Sequence, residues 1–80
     1  MTTPRAATAG ELYAIAFNLA TRNDDRFPDL AAAIAIVQSA RVVVFDCAPK
    51  DRLAFVVFDD GSYRVFTLRQ YMDGDVAERA

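Results

Sequence analysis

The sequence predicts an α+β fold in which two N-terminal antiparallel helices pack on a three-stranded antiparallel β-sheet, in the order α-α-β-β-β. Three observations carry this. Residues 8–40 place apolar side chains at helical spacing, and residues 41–69 switch to runs of β-branched and aromatic residues. Asp60-Gly61 then divides those runs as a hairpin turn.

Residues 1–7 read as a flexible arm. Thr8, followed three residues later by Glu11, is a capping box that satisfies two orphan N–H groups at a helix start. Leu12, Ile15, Ala16 and Leu19 recur at helical spacing, with Tyr13, Phe17 and Ala20 widening the stripe, so the first helix covers about 9–22. Arg22 suits the negative end of the helix dipole, and Asn23 tolerates the left-handed conformation that closes a helix. Pro28 fits the first turn of a second helix, lined by Leu30, Ala33, Ile34 and Val37 and ended by Ser39-Ala40. The short connection makes the two helices antiparallel neighbours.

Val42–Phe45, Leu53–Phe58 and Tyr63–Arg69 are the strand candidates, and residues 47–51 are turn-like. A two-residue type I′ turn at Asp60-Gly61 needs positive φ at both residues, and it sets Phe58 opposite Tyr63 and Phe55 opposite Phe66. The 47–51 loop sets Phe45 opposite Leu53 and Val43 opposite Phe55. One face then holds Val43, Phe45, Leu53, Phe55, Val57, Phe66 and Leu68. The other holds Val42, Val44, Ala54, Val56, Phe58, Tyr63, Val65 and Thr67. The tail, residues 70–80, either forms a short C-terminal helix after Asp73-Gly74-Asp75 or frays.

Both faces are apolar, and two helices cover only one of them. The face bearing Phe58 and Tyr63 is therefore either a docking surface or core sealed by the tail or by a straddling helix. An open sheet edge offers strand addition as a related mode.

Eighty residues make one domain, in which folding buries about 60% of the surface of the unfolded chain. The chain is 54% hydrophobic and 25% charged, with a net charge of −2. Eight of its nine basic residues are Arg, and no two basic residues are adjacent. Direct nucleic-acid binding usually needs a basic stripe, which this balance does not supply. The use of Ala, and of Arg over Lys, suggests a high-GC bacterium or its phage. The residues from Met1 to Gly10 lack the apolar core of a signal peptide, and the longest apolar run, Leu30 to Val37, is too short to span a bilayer. A lone Cys47 suits a reducing compartment. A soluble cytoplasmic protein is expected, with no membrane partner.

The catalytic search mostly eliminates. No His is present to act as general base or metal ligand. Cys47 has no imidazole to activate it and reads as a buried or half-buried loop residue. Gly10, Gly61 and Gly74 are isolated and form no phosphate loop. Asp46 and Asp59 flank strands at opposite ends, too far apart for an acid/base pair. Asp73-Gly74-Asp75 with Glu78 lacks the alternating spacing of a calcium loop. No catalytic residue, cofactor or metal is expected.

What remains is acid at turns. Asp24 and Asp25 occupy the interhelical loop, and Asp59 and Asp60 the hairpin tip. Turns attract Asp for backbone reasons alone, yet acidic tips around an apolar surface also steer a domain onto a basic partner. The candidate partner-binding set is Asp24, Asp25, Phe58, Asp59, Asp60, Tyr63 and Arg64.

With its acidic tips, its length and its α-α-β-β-β order, the chain resembles the small phage-encoded anti-CRISPR proteins. That resemblance implies a non-catalytic inhibitor that binds a Cas subunit of a type I surveillance complex and blocks recognition of target DNA. It carries over no site residues, because those proteins share no common motif. Two other classes stand beside it. One is a regulator or antitoxin-like protein, dimeric through its sheet, that contacts DNA through Arg41, Arg52, Arg64 and Arg69. The other is a structural accessory protein of a phage particle. By itself the chain is read as a monomer or as a homodimer through the sheet.

Overall fold

The computed structural model describes residues 3–22, 25–47, 51–71 and 74–79. The α+β class holds, but the sheet has five strands rather than three, and a strand precedes the helices. The elements are β1 (Arg5–Ala6), α1 (Ala9–Ala20), α2 (Leu30–Ser39), β2 (Arg41–Asp46), β3 (Asp51–Val57), β4 (Tyr63–Tyr71) and β5 (Gly74–Arg79). The sheet runs β1-β2-β3-β4-β5, antiparallel throughout.

The two added strands come from segments read above as arm and tail. Residues Arg5 and Ala6 pair with Val44 and Val43. Gly74–Arg79 pairs with Phe66–Tyr71 and forms strand, not helix. Neither segment has a strand pattern of its own. Each is held by a neighbour that offers an unpaired edge and by side chains that anchor it.

α1 starts where the capping box puts it. The Thr8 hydroxyl accepts from the Glu11 N–H at 3.2 Å, and the Glu11 carboxylate accepts from the Thr8 N–H at 2.8 Å. The helix closes at Thr21, within two residues of the expected end, while Asn23 lies outside the described residues. α2 is capped by Asp29, whose carboxylate accepts from the Ala32 N–H at 2.8 Å. Pro28 therefore precedes the cap instead of occupying the first turn. An Asp side chain satisfies a donor there, which proline cannot do.

The β2–β3 register is as expected, with Val43 opposite Phe55 and Phe45 opposite Leu53. The β3–β4 register is shifted by one residue: Val57 pairs with Tyr63 and Phe55 with Val65. The turn has three residues, Asp59-Asp60-Gly61, closed by Phe58 N–H to Ser62 O at 2.8 Å and Gly61 N–H to Phe58 O at 3.0 Å. Gly61, the last of the three, has a positive φ of +86°. That is the geometry of a turn followed by a glycine bulge. The Asp60 carboxylate accepts from the Ser62 N–H at 2.9 Å and helps fix it.

A one-residue slip turns a whole strand over. Phe66 and Leu68 thereby join Val44, Ala54 and Val56 on the helix-facing side, where all five are essentially inaccessible. Burying Phe and Leu in place of Val65 and Thr67 is the larger hydrophobic gain. Ile15, Leu19, Ala33 and Val37 of the helices complete this core. α1 packs along α2 and over β5, and α2 reaches β2. The expectation that Phe58 and Tyr63 share an open face is corrected by the same slip: the two lie on opposite faces.

Candidate binding surfaces

Three groups of side chains stand out: a buried ionic network, a cup at the hairpin end, and the sheet face away from the helices.

The network centres on Glu11, whose side chain is fully buried at the start of α1. Arg5 from β1 grips it with two hydrogen bonds of 2.8 Å, and Arg52 from β3 adds one of 2.5 Å. Arg5 also reaches Asp46 at 2.9 Å, and Arg52 pairs with Asp75 of β5. The Arg5 hydrogen bonds hold the Glu11 carboxyl down at about 2, against the opposing effect of burial. Asp46 is likewise lowered, first by its hydrogen bond to Arg5. For Arg52, burial lowers the pKa, but the hydrogen bonds to Asp75 and Glu11 outweigh it and the net shift is upward. Asp46, weighed above as half of an acid/base pair, is thus held ionised by Arg5, and a carboxylate so paired makes a poor proton carrier at neutral pH. Asp75 ties β5 to β3 through its ion pair with Arg52.

The cup lies where the segment after α1 meets the hairpin tip. Phe27 packs on Phe58 with ring centroids 5.8 Å apart, and the Arg26 guanidinium lies 5.4 Å and 5.7 Å from the two rings. Arg26 also approaches Asp60 at 3.8 Å. Phe27, Ile36 and Phe58 supply the apolar lining of a concavity of about 380 Å³, and Arg26, Ser39, Asp59 and Asp60 its polar lining. The Asp60 carboxyl is held low by the Ser62 hydroxyl and then by its backbone N–H.

Of the residues singled out in the sequence, Asp25, Phe58, Asp59 and Asp60 come to this end of the molecule. Phe58 is nearly buried and contributes only to the floor. Arg64 faces the same side, its guanidinium 6.0 Å from the Phe27 ring. Tyr63 is 68% exposed on the opposite face. Asp24 lies outside the described residues. Sequence reading missed Phe27, Arg26 and Ile36. Phe27 sits between Arg26 and Pro28, and an apolar residue in so polar a loop was the available signal.

The arginines grouped for DNA contact are not gathered. Arg52 belongs to the Glu11 network and Arg64 to the helix side. Arg41 and Arg69 lie on the other face by strand alternation, Arg69 at 3.7 Å from Asp51 and 3.5 Å from Glu78. Cys47 is exposed rather than buried, because it follows the end of β2. Among the described residues, no three of His, Cys, Asp and Glu converge as metal ligands. Asp73 is not among them. No helix among them is long and apolar enough to cross a membrane.

On the face away from the helices no described residue is buried. Phe45 and Phe55 meet edge to face with centroids 5.5 Å apart, and Val57 is 41% exposed. Compared with known protein families, with curated proteins and with solved structures, the chain gives no match.

Proposed function

We propose that this chain is a non-catalytic binding protein that takes a basic segment of a protein partner at its hairpin end. The observation that carries this is the concavity whose apolar lining is Phe27, Ile36 and Phe58 and whose charged lining is Asp59, Asp60 and Arg26. A partner Arg or Lys takes the place that Arg26 now holds beside the two rings and Asp60, laying its aliphatic stem on the apolar lining and bringing its cation to Asp59 and Asp60. Asp25, exposed on the neighbouring loop, adds to the field that steers such a partner inward. The partner class implied by the anti-CRISPR resemblance, a Cas subunit of a type I surveillance complex, fits this chemistry because proteins that grip nucleic acid present basic surfaces. Occupying such a surface blocks target DNA.

The test uses purified type I surveillance complex, with target-DNA binding as readout. Wild-type chain is expected to associate faster at low salt and to reduce DNA binding. The double variant Asp59→Lys/Asp60→Lys is expected to associate at least about tenfold more slowly and to lose most of that salt dependence. Unchanged kinetics in the variant would remove the hairpin end from the interface. Failure of the wild type to bind the complex at all would remove this partner.

A further inference from the structure

We propose that the sheet face turned away from the helices is covered by a second copy of this chain, giving a homodimer packed sheet against sheet. This rests on the face itself and not on the hairpin-end reading. Phe45, Leu53, Phe55, Val57, Tyr63 and Val65 line the face, and its two phenylalanines already form an edge-to-face pair at its centre. Alternation puts every one of them on the side that α1 and α2 leave bare.

The charges on this face suit a second copy as its occupant. Arg41, Asp51, Arg69 and Glu78 lie on it, two of each sign, and Arg69 already pairs with both Asp51 and Glu78. A two-fold contact sets a surface against itself, so a face with net charge would repel its own copy. A neutral one does not, and it offers no purchase to a strongly acidic or basic partner. The hairpin end sets Asp25, Asp59 and Asp60 against Arg26 and Arg64 and keeps an excess of acid, which separates the two surfaces by chemistry.

Size agrees. Four long strands at about 4.8 Å spacing, each of about six residues at about 3.3 Å, make a face of roughly 20 × 20 Å. With side-chain relief, two copies bury on the order of 1,000 Å², where specific interfaces begin. Facing sheets pack about 10 Å apart, which suits interdigitating Phe and Val side chains. Strand addition at the edges is the weaker alternative. β1 is only two residues long, and on β5 the Asn18 side chain donates to the Ala77 carbonyl at 3.0 Å. The cup of each copy lies on the helix side, so the dimer leaves two cups open.

Sedimentation equilibrium across about 5–500 μM chain tests this, a span suited to the weak association of an interface at the small end of the specific range. The wild type is expected to rise from the 8.8 kDa chain mass to twice that value. Phe55→Asp is expected to stay at the single-chain mass with an unchanged circular dichroism spectrum. Val57→Lys, at a more exposed position, is expected to raise the dissociation constant at least tenfold and decides the matter should Phe55→Asp unfold. A wild type that remains a single chain at 500 μM, or a dimer that survives Val57→Lys unchanged, overturns the proposal. The first outcome would leave the face to a different protein.

Discussion

Glu11 joins two roles in one carboxylate. It closes the capping box of α1 and receives Arg5 and Arg52 from two different strands. The first role was legible, because a capping box is a spacing of three within one segment. The second was not, because Arg5, Arg52 and Asp75 are brought together only by the sheet. Its carboxyl sits near 2 in the folded chain against an ordinary 4.5. The folded pKa is below the unfolded one, so the stabilisation is present above about pH 4.5 and is lost as pH falls toward 2. A shift of this size corresponds to about 3 kcal/mol, a large share of the stability of so small a domain. Glu11→Ala is expected to destabilise by about 3 kcal/mol at pH 7, because it leaves two arginine charges short of a partner. It is also expected to flatten the acid limb of the stability profile. Urea titrations of both proteins between pH 2 and pH 7 check this, and parallel acid limbs would show that the acid sensitivity comes from other groups.

At the scale of elements, the helices were readable because 3.6-residue periodicity and caps are local. The β2–β3 register was readable because its loop length fixed it. The β3–β4 register was not. Asp60-Gly61 supports a two-residue turn or a three-residue turn with a bulge, and the choice was made by which strand face reaches the core. The difference is measurable in one pair of variants. Phe66 is 1% exposed, whereas Phe55 faces away from the helices. Phe66→Ala is expected to cost about 3–5 kcal/mol and Phe55→Ala about 1 kcal/mol or less, measured at low chain concentration. Equal costs would return both rings to one face, as the two-residue turn has it. The edge strands β1 and β5 escaped sequence reading for a related reason: an edge strand borrows its hydrogen bonds from a neighbour and needs little pattern of its own.

For the whole molecule, the ratio of sheet to helix is the controlling quantity. Two helices cover one side of five strands, and the excess apolar side remains. That a surplus face exists follows from composition. Which residues form it does not, and the slip in β4 exchanged Phe66 and Leu68 for Val65 and Thr67. A dimer through that face links folding to association, so the thermal midpoint is expected to rise as chain concentration increases from about 5 to 500 μM. Phe55→Asp is expected to abolish that dependence while keeping a cooperative transition. A wild-type midpoint independent of concentration would argue for a folded monomer.

By itself the sequence determined the α+β class, both helices with the start of the first, the β2–β3 pairing and the acid at the turns. Each of these depends on contacts within a few residues or on a loop of fixed length. The tertiary structure alone decided the fifth strand and the first, the face of β4, the burial of Phe58 on Phe27 and the arginine grip on Glu11. These depend on burial and charge pairing between segments far apart in the chain, and the energy that chooses among them exists only when the core closes.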